Sequence, residues 1–247
     1  MNAARFAVHV HSTWSHDGFF RLDVLVRLLR TLGYRGVLMS EHDQGFDEDR
    51  WGSYQEACAQ LSSESFLVVP GIEYANADGS VHVPVWGARP FLGEALDTPV
   101  LLDRVSETGG AAVMAHPSRH QAWRQFRPEW SAQLLGVEIW NVKEDGYALG
   151  ADGLRLWREH DELVPFAALD LHTPRQLFPL AMEIAVTAEL SRASVQAALA
   201  DRAVRPLAFG YPAASFDHGR RREIARRLEQ GRHFAISRVK RVVKGHY

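Results

Sequence analysis

The stretch Phe6-Ala-Val-His-Val-His-Ser-Thr-Trp-Ser-His-Asp-Gly18 constrains the fold of this chain more than any other. Phe6, Val8 and Val10 alternate with Ala7, His9 and His11. That is the period of a β-strand, in which every second side chain lies on one face. His9 and His11 are therefore expected on the same face. The turn that follows carries Asp17, so two imidazoles and a carboxylate meet at one strand end, an N/N/O corner suited to a metal ion.

The same arrangement recurs along the chain. A helix is expected from Arg21 to Leu32, with Leu22, Leu25, Leu28, Leu29 and Leu32 on one face and Gly33 at its C-terminal cap. Short apolar strands are expected at Gly36–Met39, Phe66–Val69, Ala111–Met114, Gly136–Trp140 and Val164–Leu169. Helices are expected near 50–62, 99–108 and 151–162, and later a helix near 191–201 between strands Met182–Thr187 and Val204–Phe209. Val81–Trp86 reads as a short antiparallel insertion, and Pro84 argues for an edge position. Strands alternating with helices point to parallel strands joined by crossovers. His9 and His11, His42, Glu73, His116, Asn141, Asp170 and His172 lie at or just beyond the ends of separate apolar runs. In a parallel barrel those ends converge on one mouth, where active sites sit.

At 247 residues the chain has the length of one α/β barrel or two small domains. A single domain over 1–247 is expected, with a basic helical segment at about 215–247. Cys58 is the only cysteine, so an intramolecular disulfide and a thiolate cluster are excluded, and any metal must use His and carboxylate. The net charge of −2 gives no global pull toward nucleic acid or membrane. No apolar run is long enough for a signal segment or a bilayer span, so a cytoplasmic location is expected. Nothing in the sequence specifies an oligomeric state. P-loop, G-x-G-x-x-G, H-E-x-x-H and G-x-S-x-G patterns do not occur.

The ordered set His9-Val-His11, Ser15-His-Asp-Gly18, Glu41-His-Asp43, Gly71-Ile-Glu73, His82, Ala115-His-Pro117 and Asp170-Leu-His172 resembles the PHP family, named for polymerase and histidinol phosphatase. The resemblance covers roughly residues 6–172. It implies a distorted (β/α)7 TIM-like barrel, two or three divalent metals, and hydrolysis of phosphate esters; several imidazoles suit Zn, Mn or Fe better than Mg. It also implies a ligand set. His9, His11, Glu73 and Asp170 would hold one metal. Glu73 would bridge to a second, completed by His82 and His116. Asp17, His42 and His172 would hold a third. His16 is an alternative to Asp17, which the adjacent Gly18 favours. The chain departs from the family pattern at Ala7, Glu41, Leu169 and Leu171, where an acidic residue, Asp and small residues are common. Those positions bear on the support of the ligands rather than on the ligands themselves.

The implied reaction is attack on phosphorus by a water that two metals acidify. Asp17 and Glu73 would act through the metals, and His16 or His120 would protonate the leaving group. Arg119 and Arg175 follow the His116 and His172 motifs, and with Lys143 they are the candidate phosphate contacts. A small phosphomonoester is the leading substrate. Glu73 is expected at a surface mouth, where removal of its charge changes folding little. A nuclease or phosphodiesterase is the second reading, because residues 215–247 hold ten Lys or Arg against three acids. More often such a stretch is simply one helix with a solvated charged face. A non-catalytic metal-binding module is the third, and the number of ligand types argues against it. Trp14, Trp86 and Trp140 lie near candidate ligands, as pocket wall or as core.

Overall fold

The structure, a computed structural model, describes residues 2–186 and 189–244, with side chains from 3 to 186 and from 189 to 234. β1 (Asn2–Val10) leads into α1 (Leu22–Thr31) and β2 (Gly36–Met39). β3 (Glu41–His42), α2 (Glu48–Leu61), β4 (Leu67–Val69), β5 (Gly71–Ala75) and β6 (His82–Trp86) follow. Next come α3 (Thr98–Thr108), β7 (Ala111–Met114), β8 (Gly136–Asn141), α4 (Val142–Asp145), α5 (Ala151–Glu159) and β9 (Val164–Ala168). β10 (Leu180–Val186), α6 (Arg192–Ala200), β11 (Val204–Ala208), β12 (Tyr211–Pro212) and α7 (Gly219–Lys244) end the described chain. Thr187, the expected last residue of one strand, lies outside the described residues.

Local chemistry explains most of these boundaries. α1 buries Leu22, Leu25, Val26 and Leu29, and stops at Thr31 because Gly33 takes the left-handed conformation (φ 82°) that favours glycine. Leu32 is half exposed and leaves the buried face expected for it. The Asp47 side chain caps α2 by accepting from Arg50 N–H. α3 starts with Pro99 in its first turn and ends at the left-handed Gly109.

The strands form two six-stranded sheets, β12-β11-β10-β1-β2-β4 and β3-β5-β6-β7-β8-β9. The expected (β/α)7 barrel is thus corrected to a mixed α/β architecture with no closed ladder among the described residues. The breaks have physical causes. Between β2 and β3 the chain passes from one sheet to the other at Ser40, and between β4 and β5 at Pro70, which has no N–H to donate. On the other side, Leu169 N–H donates to Val8 O (3.0 Å) and Leu171 N–H to His9 O (3.1 Å). His9 sits there in a bulge, and both His9 and Asp170 have positive φ, so no regular pairing forms.

Strand direction also departs from the expected pattern. β1, β2 and β4 are parallel, as are β3 with β5 and β7 with β8 and β9. β10, β11 and β12 are antiparallel to their neighbours. β6 is antiparallel, as expected, but it lies between β5 and β7 and not at an edge. Pro84 is tolerated there because the ladder to β7 covers only Val85 and Trp86, with Ala115 N–H reaching His82 O beyond it (3.0 Å). The reversal matters for the site: it brings the first residue of β6, His82, to the end where its parallel neighbours finish.

Trp86 and Trp140 are fully buried, their indole N–H groups donating to Met39 O (2.7 Å) and Gly146 O (3.0 Å). Trp14 packs on Phe46 and Tyr54. All three tryptophans are core or near-core groups. Among the described residues, no helix is long and apolar enough to cross a membrane. α7 is fixed to the body through Glu229, which accepts from Tyr147 N–H (2.7 Å) and pairs with Arg232. The side chains of Arg238, Lys240, Arg241 and Lys244 lie outside the described residues.

Candidate metal centre

Glu73, in the middle of β5, is the hub. Its Oε1 lies 3.2 Å from His9 Nε2, 2.9 Å from His82 Nδ1 and 3.1 Å from His116 Nε2. Its Oε2 lies 3.1 Å from His42 Nδ1 and 3.6 Å from His11 Nε2. Glu73 is 1% exposed, so the expected surface placement is wrong: the carboxylate is enclosed by five imidazoles. Gly71 makes this approach feasible, since a Cβ there would stand 2.3 Å from the Trp86 ring and 2.4 Å from Met39 O.

Asp170 is the second buried anion. Its Oδ1 lies 3.7 Å from both His9 Nε2 and His11 Nε2 and 3.1 Å from His172 Nδ1. Asp17 stands at the rim, 41% exposed, 3.2 Å from His42 Nε2 and 3.3 Å from His172 Nε2. The turn that carries it needs Gly18, because a Cβ there would overlap Ser12 O at 1.9 Å. His16 is exposed and its ring centroid is 5.3 Å from that of His42.

Charge and burial compete at every member of this cluster. Burial alone would raise Glu73 and Asp170, but the surrounding imidazoles, and Lys143 in the case of Asp170, hold both carboxyls well below their usual range. Burial would lower His9, yet Glu138, Glu73 and Asp170 raise it well above 6.5. Burial likewise opposes the rise of His42, which Asp17 and Glu73 push up to about 10, and of His172, which Asp17 and Asp170 push up to about 9. His11 goes the other way: burial and the neighbouring His172 lower it.

The residues fit divalent cations. His9 Nε2, His11 Nε2 and His116 Nδ1 are buried and make no hydrogen bond. Three groups of donor atoms each lie within 4.8 Å of one another: His9, His11 and Asp170; His9, Glu73 and His116; His11, His42 and His172. Imidazole with carboxylate is a donor set for Zn, Mn or Fe rather than Mg.

The other expected residues divide. A cleft of about 240 Å³ is lined by His16, Asp17, Glu73, His82, Arg119 and Lys143 among others. Arg119 lies 2.6 Å from His82 Nε2, and Lys143 Nζ 3.5 Å from Asp170 Oδ1. Arg175 and His120 are exposed and do not line the cleft. Sequence reasoning passed over Glu138, which is 1% exposed and 2.6 Å from His9 Nδ1. A charged residue in the apolar run Gly136-Val-Glu-Ile-Trp140 was the signal for it. Glu41 is buried too, and accepts from Ser12 N–H (3.1 Å), Ser12 Oγ (2.6 Å) and Ser15 Oγ (2.5 Å). It ties down the turn that bears Asp17, so this departure from the family pattern still supports the site.

No protein-family model matches the sequence, and no curated protein matches it. Solved structures do. One is a two-domain protein from Bacteroides vulgatus containing a predicted PHP-like metal-dependent phosphoesterase, 17% identical, with a TM-score of 0.64 over 84% of this chain. This chain spans 65% of that protein's length. Another is PsfC from Pseudomonas syringae, 15% identical, with a TM-score of 0.63 over 94% of this chain and 99% of that one. At the level of the fold, the PHP resemblance implied by the motifs therefore holds.

Proposed function

We propose that this chain is a metal-dependent phosphoesterase acting on a small phosphomonoester. One observation carries the reading: six imidazoles converge on Glu73, Asp170 and Asp17, and three of their ring nitrogens are buried without a hydrogen bond. Such an array costs much to assemble unless cations fill it. His9, His11, Glu73 and Asp170 would hold one ion, Glu73, His82 and His116 a second, and Asp17, His42 and His172 a third. When bound, such ions draw charge off the phosphoryl oxygens and acidify a water for attack on phosphorus.

The chain's own residues supply the rest. The Glu73 and Asp170 charges offset cation repulsion in the buried part of the site. Arg119 and Lys143 present cationic groups to the cleft and would bind phosphoryl oxygens and orient the ester. His16, exposed on the cleft lining, would protonate the leaving oxygen. Arg175 and His120, exposed and outside the cleft lining, are given no role in this reading. The cleft's modest volume and the absence of the described α7 arginines from its lining favour a small substrate over a nucleic-acid backbone.

The test is activity of protein stripped by chelation and reloaded with Mn or Zn. Small phosphomonoesters should turn over, and turnover should disappear and return with the metal. Fewer than one metal per chain after reloading would sink the reading. Hydrolysis confined to diesters or nucleic acid, weakening steeply with salt, would replace it with the nuclease reading.

A further inference from the structure

Eight non-glycine residues in the described chain have positive φ, and three of them are His9 (57°), His116 (25°) and Asp170 (48°). Such backbone is costly and persists only where the surroundings enforce it. The three residues come from separate strand ends, yet one buried pair links them. Glu138 Oε1 accepts from His9 Nδ1 (2.6 Å), and Oε2 accepts from His116 N–H (2.8 Å) and from Asn141 Nδ2 (2.8 Å). Asn141 Nδ2 also donates to Asp170 Oδ2 (3.2 Å). Both members are buried and stand on β8, Glu138 at the irregularity where its pairing with β9 shifts register.

We propose that Glu138 and Asn141 are positioning residues that hold His9, His116 and Asp170 in these conformations and orient them toward the metal cluster. The inference rests on the metal reading above. The chemistry is specific. A carboxylate that accepts the hydrogen bond of His9 Nδ1–H leaves Nε2 as the ligating atom and fixes the ring plane. Three donors converge on Glu138, and only a group with two acceptor oxygens satisfies all three. Asn141 is needed as an amide, because its Nδ2 must donate between two anions while its Oδ1 accepts from Lys143 N–H and Glu144 N–H at the start of α4. An acid at position 141 would set three carboxylates against one another.

Glu138→Gln keeps the volume but turns an NH2 group toward either the imidazole donor or the two amide donors. Asn141→Ser keeps a helix-capping oxygen and removes the Nδ2 donors that reach Glu138 and Asp170. Metal binding is measured with Co(II), by chelator competition and by its visible absorption, beside thermal melting and kcat and KM on a small phosphomonoester. The expected result for Glu138→Gln is about 10- to 100-fold weaker Co(II) binding, an altered Co(II) spectrum, a lower kcat and a near-parent KM. Asn141→Ser should show the same changes in smaller measure, and it carries the test if Glu138→Gln does not melt cooperatively. A folded variant whose Co(II) affinity and spectrum match the parent overturns the positioning role alone. A parent chain that binds no Co(II) overturns the metal reading and this inference with it.

Discussion

The buried half of the cluster and its rim are built differently. His9, Glu73, His116 and Asp170 are at most 2% exposed, three of them have positive φ, and Glu138 and Asn141 bracket them from behind. Asp17 and His42 line the cleft, with His172 against Asp17 (3.3 Å), and Asp17 stands on a turn with ordinary backbone and a side chain 41% exposed. The buried half is preorganised by strain and hydrogen bonds, so a cation there enters a fixed cage. The rim owes its shape to one turn, held by Glu41 through Ser12 and Ser15. In the proposed enzyme the buried ions should therefore be retained and the rim ion should exchange.

The largest expected effect comes from Glu73→Gln. The amide keeps the shape but removes the charge facing five imidazoles. Turnover should fall several hundredfold or more, on the scale seen when a charge-stabilising group is lost from a site. Because Glu73 is buried among imidazoles that it helps keep protonated, the metal-free variant should also melt lower than the parent. Turnover, metal content and melting of both proteins check this. Near-normal activity at full metal occupancy would remove Glu73 as the bridge and dissolve the contrast between the two halves.

Asp17→Asn should sharpen the contrast. It leaves the buried bracket intact and weakens only the rim, so one ion should be lost while the others stay. Turnover should drop roughly 10- to 100-fold, the worth of one charged contact. Chelator titration of the parent should likewise remove metal in two phases, the second much slower. Loss of all metal together from Asp17→Asn would mean that the halves are one cooperative unit.

Proton competition gives a related expectation. In the metal-free protein His42 and His172 keep their protons up to about pH 10 and 9. Their pairing with Asp17, Glu73 and Asp170 stabilises the fold fully below the unfolded imidazole value near 6.5, and that contribution is lost as pH rises through 9 to 10. A rim cation must displace those protons. Its affinity should therefore fall as pH is lowered from about 9, approaching tenfold per pH unit for each proton released. Calorimetry in buffers of different ionisation enthalpy would count the protons, and none released at pH 7 would contradict the assignment.

Much of this was legible in the sequence for a simple reason. Candidate ligands at strand ends sit beside apolar runs, and His9, His11, His42, Glu73, His82, His116, Asp170 and His172 are all brought together. What periodicity could not carry was backbone that breaks periodicity. His9 and His11 converge through a bulge at His9 rather than by strict alternation, with ring centroids 5.1 Å apart. Pro84 suggested an edge, whereas a shortened ladder admits it to the sheet interior. The two-sheet split turns on Ser40 and Pro70, positions with no hydrophobic signature. Arg175 shows the limit of sequence proximity: three residues past His172, it is exposed and does not line the cleft.

The smallest expected effect tests whether the rim's support is mechanical or electrostatic. Burial pushes the Glu41 carboxyl up to about 7, and the hydrogen bonds from Ser12 and Ser15 only partly offset it. Between the unfolded value near 4.5 and about 7 the folded chain therefore holds a proton on Glu41 that the unfolded chain has released. Its contribution to stability declines as pH rises through that window and levels off above it. Glu41→Gln carries no such charge. The serine hydroxyls can rotate to serve an amide, so the turn and Asp17 should stay in place and turnover should change by no more than about threefold, a difference below one hydrogen bond's net worth. The melting temperature of the variant, followed from pH 5 to 8 beside the parent, should lose part of the parent's decline. A large loss of turnover with rim metal lost would show that the Glu41 charge itself holds the rim, and that the rim is as electrostatically committed as the buried half.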